Sequence, residues 1–165
     1  MIEVLVSLTI VAFGVLGLLG LQARALSFQR DSFDRRTAAE MVAQFAERVR
    51  ANHVGLVGGL YDANFDVAFA TPVAIPPCAT PAACTPGELA TRDLRQWLAD
   101  YRRRTPGSAA YFQWTVADPR SILVSLAWPE PQATGADPLC TTINGRGLGV
   151  AIPANYRCFE TAVFP

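Results

Sequence analysis

Hydrophobic and polar positions divide this chain into stretches of different period. Residues 2–21 (IEVLVSLTIVAFGVLGLLGL) are apolar on every side of a helix and carry one charge, Glu3. A helix of that length rises about 30 Å, which matches the hydrocarbon core of a bilayer. Beyond it the pattern stays helical, without Pro or a turn pair, but becomes one-sided. Met41, Val42, Phe45 and Val49 recur at helical spacing, with Arg and Glu on the opposite face. Asn52, followed by Gly55, Gly58 and Gly59, supplies the stop. The spacing predicts one helix from Ile2 to about Asn52, about 75 Å long. Its first half suits a membrane and its second half suits the side of a globular domain, so the chain divides into a membrane half at residues 1–24 and a domain at residues 25–165 that includes the amphipathic half of the helix.

The rest of the pattern predicts an α+β domain. Residues 53–87 read as a Gly- and Pro-rich connection with a short strand near Val67–Phe69. Thr85-Pro86-Gly87-Glu88 opens a second helix, whose Leu89, Leu94, Trp97, Leu98 and Tyr101 form one apolar side. Arg92, Arg95 and Arg102, Arg103 and Arg104 lie on or near the other side, and Pro106-Gly107 ends the helix. Residues 110–117 (AYFQWTVA) and 121–128 (SILVSLAW) flank Asp118-Pro119-Arg120 as a β-hairpin rich in β-branched and aromatic residues. Residues 129–137 form a loop. Two last strands are expected at 148–152 and 157–164, joined around Pro153-Ala154-Asn155.

Composition then narrows the chemistry. The net charge is zero, which argues against an obligate nucleic-acid binder. All 14 basic residues are Arg, a feature of composition that carries no functional weight. His53 is the only histidine, so Ser-His, Cys-His and multi-histidine metal sites lack partners. Asp62, Asp66, Asp93 and Asp100 match no calcium-loop spacing and read as solvated positions. Trp97, Trp114 and Trp128 read as core. The run Arg102-Arg103-Arg104 could grip phosphates or an acidic face of another subunit, although cations at a helix C-terminus are favoured in any case. No catalytic constellation, metal site or cofactor motif is present. Two features of the apolar run stand out. A carboxylate such as Glu3 costs about 2.5–3.5 kcal/mol at the centre of a bilayer and less near an end. Gly14, Gly17 and Gly20 lie near one stripe that allows close helix packing, yet each weakens the helix by about 1 kcal/mol relative to Ala.

A family resemblance rests on these same residues. Ile2-Glu3-Val4-Leu5-Val6-Ser7-Leu8 resembles the opening of a mature type IV pilin, where a motif of Phe-Thr-Leu-Ile-Glu type stands. Residues 14–22 (GVLGLLGLQ), residues 47–52 (ERVRAN), and Cys84 with Pro86, Leu89-Ala90, Asp93-Leu94 and Trp97 resemble minor pilins of the PilV type, the pilus modification proteins. The resemblance runs to about Trp128, and the C-terminal third matches in general plan only. It implies a non-enzymatic minor pilin held in the inner membrane, its C-terminal domain in the periplasm, that joins other minor pilins and the major pilin to prime or tip a pilus on the cell surface. It implies that Glu3 meets the N-terminal amine of a neighbouring subunit and sets registry, and that the helix around Gly14, Gly17 and Gly20 stretches or melts during polymerisation. It also implies a precursor with a basic leader, cut by prepilin peptidase before a Phe that becomes N-methylated. The sequence has Met1 in place of that segment, and the complete precursor is expected to carry it upstream. Two other readings stay open within the superfamily: a minor pseudopilin of type II secretion, and a DNA-binding competence minor pilin acting through Arg102–Arg104.

Cysteine usage bears on the compartment. Cys78, Cys84, Cys140 and Cys158 all lie in the domain. Sequence proximity and Pro-rich surroundings favour Cys78–Cys84. Cys140–Cys158 would then close a C-terminal loop, which resembles the disulfide-bounded region of many pilins. A four-cysteine zinc site is the alternative, and its spacing is poor. Disulfides imply an oxidising compartment. The positive-inside rule alone would put Arg24, Arg30, Arg35 and Arg36 in the cytoplasm. A basic leader on the precursor resolves the conflict in favour of the cysteines.

Overall fold

The computed structural model describes residues 2–61, 75, 83–115, 118–147 and 151–164. Contacts divide the chain into two units, Met1–Arg36 and Thr37–Pro165. Helix α1, Ile2–Ala51, supplies the described residues of the first unit and enters the second. The second unit adds α2 (His53–Val57), α3 (Pro86–Arg104), β1 (Ala109–Thr115), β2 (Asp118–Pro129), α4 (Pro138–Asn144) and β3 (Tyr156–Val163). The three strands form one antiparallel sheet in the order β1-β2-β3. The architecture is therefore α+β, with the end of a long helix packed with a small sheet.

Within the second unit, α1 buries Thr37, Ala38, Met41, Val42, Phe45 and Val49, the one-sided stripe expected of an amphipathic helix. Helix α3 begins where its sequence says it should. Thr85 and Glu88 form a capping box, in which the Glu88 N–H donates to Thr85 Oγ1 at 3.3 Å and the Thr85 N–H to Glu88 Oε2 at 2.9 Å. The buried side of α3 is Ala90, Leu94, Trp97, Leu98 and Tyr101. Leu89 is only half-buried, and Ala90 takes the place expected of it because Ala90, not Leu89, keeps the i, i+4, i+7, i+8, i+11 spacing of the face that holds Leu94, Trp97, Leu98 and Tyr101.

Aromatic rings join three elements at the centre. Phe45 of α1, Trp97 of α3 and Phe112 of β1 pack with centroids 5.6, 4.7 and 5.4 Å apart. Such tilted and edge-on pairs add to the burial of their area. The Trp97 Nε1–H donates to the Met41 carbonyl at 2.6 Å, so the indole is satisfied and pinned to α1. Strand alternation builds both faces of the sheet. Ala110, Phe112, Ile122, Val124, Leu126, Trp128 and Val163 join the cluster with α1 and α3. Ala109, Tyr111, Ala127, Tyr156 and Cys158 join a second cluster with Cys140 and Ile143 of α4 and Ile152. Both faces are covered, which explains why the hairpin reads as nearly continuous apolar sequence.

Several expectations change. Asn52 ends α1 but also caps a further short helix, α2, where a plain connection was expected. Residues 138–144, expected to lie between a loop and a strand, form α4, which covers the second face of the sheet. Residues 151 and 152 are not in a strand, and residues 148–150 lie outside the described residues. Strand β2 begins at Asp118 rather than after the turn, with a shift of register between Trp114 and Thr115. The strand expected near Val67–Phe69 lies outside the described residues, as do Asp62, Asp66 and residues 116 and 117.

A polar junction closes the end of α1. Asn52 Nδ2 donates to the Tyr61 hydroxyl at 3.2 Å and to the Pro86 carbonyl at 3.0 Å, while its Oδ1 accepts from the Gly55 N–H at 3.1 Å. The Tyr61 hydroxyl in turn donates to Asp93 Oδ2 at 2.9 Å. Burial pushes the Asp93 carboxyl up, against the opposing effects of the Tyr61 hydrogen bond and the Arg48 and Arg92 charges. A Cβ at position 55 would overlap Asn52 Nδ2, so this glycine is required by close approach. We expect Asn52→Ala to cost about 1–3 kcal/mol, because it leaves buried partners unmet. Gly55→Ala should cost a similar amount by displacing the same amide. The double variant should cost much less than the sum, a non-additivity that denaturant unfolding of the chain in detergent would measure.

On the second face, Glu160 accepts from Ser125 Oγ at 2.6 Å and makes a two-pronged ion pair with Arg146, with Nη2 to Oε1 at 3.0 Å. Burial raises the Glu160 carboxyl, but the Arg146 and Ser125 hydrogen bonds outweigh it and the net shift is downward. A folded value below the unfolded one gives stability that is complete above the ordinary carboxylate range and is lost as pH falls through the folded value. Glu160→Gln should therefore be less stable than the parent by about 1–2 kcal/mol at neutral pH. The gap should close on acidification to about pH 3, read from unfolding midpoints at both pH values.

Candidate assembly segment

The site with most to explain is the surface of α1 over residues 2–21. Among the described residues α1 is the helix long and apolar enough to cross a membrane. Its large side chains are exposed throughout, from Ile2 at 76% to Phe13 at 71% and Leu21 at 66%. Its two hydroxyl residues are neutralised locally. Ser7 Oγ donates to the Glu3 carbonyl at 2.7 Å and Thr9 Oγ1 to the Leu5 carbonyl at 2.8 Å. This back-bonding satisfies the hydroxyls inside the helix, so they can enter an apolar environment without an external partner. Glu3 is then the one charged side chain of the segment. It sits in the first turn, where the helix dipole favours an anion.

The helix is continuous through Gly14, Gly17 and Gly20, and nothing in the chain comes within 4 Å of a Cβ built at any of them. The chain's own packing therefore does not require glycine there.

The cysteines among the described residues are oxidised. Cys140 of α4 is bonded to Cys158 of β3 with a Cα–Cα distance of 5.3 Å, and both are buried in the second cluster. The bridge fastens the α4 layer to the sheet. Cys84 is also disulfide-bonded. Cys78, and with it the Cys78–Cys84 pairing, lies outside the described residues. Sulfurs committed to disulfides offer no thiolates to zinc, so the zinc alternative fails at Cys84, Cys140 and Cys158.

The remaining candidates are structural. Arg102 Nε donates to the Ser108 carbonyl at 3.2 Å, Arg103 pairs with Asp100, and Arg104 lies 3.8 Å from Glu40. Asp100 also takes Arg48 Nη2 at 3.2 Å. The arginine run is thus engaged within its own unit. His53 opens α2 and is exposed. Trp97 and Trp128 are fully buried, and the side chain of Trp114 lies outside the described residues. Among the described residues no group of three or more His, Cys, Asp and Glu could hold a metal ion.

Sequence reasoning missed the Ser7 and Thr9 back-bonds, the Asn52 junction and the Arg146–Glu160 pair. The first was legible, since Ser and Thr inside an apolar helix have only the carbonyl one turn back to satisfy them. The other two depend on tertiary placement.

Comparison with known proteins agrees with this geometry. No curated protein and no solved structure matches the chain. Residues 20–95 match the family model described as Tt1218-like, Type IV pilin Tt1218. The matched stretch runs from the end of the apolar segment through the buried stripe of α1 into α3. It supports the type IV pilin superfamily, whose members are structural, and the helix-plus-sheet architecture is consistent with a pilin fold.

Proposed function

We propose that this chain is a minor pilin, a structural and assembly component that primes or tips a type IV pilus. The observation that carries the reading is the uncovered apolar surface of residues 2–21, broken by Glu3 alone, on a chain whose other unit has its own covered core. Such a surface needs lipid or other apolar helices around it. A subunit that passes from membrane to fibre uses both in turn. Its partners are other minor pilins and the major pilin, with prepilin peptidase acting on the precursor. Before assembly the inner membrane holds residues 1–24, and residues 25–165 stand in the periplasm, where the disulfides form.

Glu3 acts as a registry device in this reading. An unpaired charge among packed apolar helices is expensive, and pairing with a neighbour's N-terminal amine recovers much of that cost only in one alignment. Glu3→Ala and Glu3→Leu should leave the membrane level of the protein unchanged and reduce its recovery in sheared pili. Immunoblots of membrane and shear fractions measure both, and unchanged incorporation would remove the registry role.

Gly14, Gly17 and Gly20 are assigned to helix adaptability or subunit packing, since no contact within the chain calls for them. Alanine at all three positions should stiffen the helix by about 1 kcal/mol per site. It should lower piliation while leaving unfolding of the domain unaltered, measured by pilus yield beside denaturant melts of the same variant.

A further inference from the structure

Four arginines, Arg24, Arg30, Arg35 and Arg36, follow the apolar run, and the assembly reading gives them no task. With the disulfide-bearing domain in the periplasm, they also lie on the side that the positive-inside bias disfavours. Arg35 is paired with Asp31, Nε to Oδ2 at 3.1 Å, and Arg36 has interactions of its own. Arg24 and Arg30 are exposed, and Asp34 lies one turn beyond Arg30. Among them Leu26 and Phe28 stand 65% and 68% exposed.

The placement of these four side chains around the helix decides what can cover them. At about 100° per residue, Leu26 and Phe28 fall on opposite sides. Arg24 lies beside Phe28, and Arg30 beside Leu26. Each side therefore presents one apolar group and one guanidinium. A folded partner docking on one side would leave the other in water. A phospholipid headgroup layer surrounds the helix and meets both. Depth agrees with this choice. Arg24 stands about 4.5 Å beyond Leu21 along the axis, within a headgroup layer that extends about 5–8 Å beyond the hydrocarbon, and Arg30 stands about 13.5 Å beyond it, so that its side chain has to reach back to that layer. Helical Cα–Cβ bonds tilt toward the N-terminus, so both arginines reach back toward the bilayer along their flexible stems. Over residues 24–36 the four arginines outnumber Asp31 and Asp34 by two, which complements an anionic lipid surface.

We infer that residues 24–30 form a headgroup collar, in which Arg24 and Arg30 bind phosphates of anionic phospholipids while Leu26 and Phe28 lie among the headgroups. The inference rests on the membrane residence proposed for residues 2–21. Its consequence is that anionic lipid holds the subunit in the membrane pool, and that extraction into a fibre must break those contacts.

The test uses the full chain reconstituted into vesicles of phosphatidylcholine alone or mixed with phosphatidylglycerol. A nitroxide on one added cysteine, Val15→Cys or Gln29→Cys, reports depth by collision with oxygen and with a water-soluble nickel chelate. The Val15 label should sit in hydrocarbon in both vesicles. The Gln29 label should report headgroup depth in the mixed vesicles, with a several-fold rise in nickel accessibility in phosphatidylcholine alone. The same rise should follow from Arg24→Gln with Arg30→Gln in the mixed vesicles. A Gln29 label equally open to nickel in both vesicles would overturn the collar. So would shielding that is the same in both and survives the arginine changes, because a second copy of the chain would then be the cover. A Val15 label outside hydrocarbon would instead overturn the membrane reading, and the collar with it.

Discussion

A helix that is apolar around its whole circumference has no stable place in water. Residues 2–21 of α1 are such a helix, and their large side chains remain exposed. Exposed apolar surface costs about 25 cal/mol per Å², and the segment keeps large side chains exposed along its whole length. Everything polar within the segment is arranged to make that cost smaller or to give it direction. Ser7 and Thr9 bond to the helix itself, and the glycines leave surface that neighbours can approach closely. Glu3 alone is left needing something from outside.

The second unit solves the opposite problem with the same helix. From Thr37 onward α1 is apolar on one side only, and that side is covered. Phe45, Trp97 and Phe112 tie α1, α3 and β1 through one aromatic contact set, with the Trp97 indole anchored on the Met41 carbonyl. Behind the sheet, α4 and the Cys140–Cys158 bridge make a second layer. Charges are resolved within the unit, through Arg48 with Asp100, Arg104 with Glu40 and Arg146 with Glu160. Among the described residues the two clusters of the domain are buried, whereas the large side chains of the apolar run are exposed.

Patterns of short range were legible in the sequence. The extent of α1 followed from its unbroken helical period, the start of α3 from Thr85-Pro86-Gly87-Glu88, and the hairpin from two β-rich runs around a turn. What escaped depends on tertiary context. Segment 138–144 contains Cys, two Thr and Asn, so its weak helix propensity concealed α4. Asp137 followed by Pro138, an N-cap with proline at the first helical position, was the available signal. Ala90 rather than Leu89 lies on the buried side of α3, because it keeps the helical spacing of Leu94, Trp97, Leu98 and Tyr101, a signal that the larger apolar side chain of Leu89 masked. At the apolar segment the sequence displayed Glu3 and the glycines, and no contact within 4 Å of a Cβ at those glycines explains them.

Assembly in this form requires residues 2–21 to exchange lipid for the helices of fibre subunits. A photo-cross-linker placed at Val11 in cells making the filament tests this directly. Adducts with lipid are expected in the membrane fraction, and adducts with the apolar helices of other subunits in the sheared fibres. Adducts with lipid alone, and none with any fibre component, would contradict that exchange.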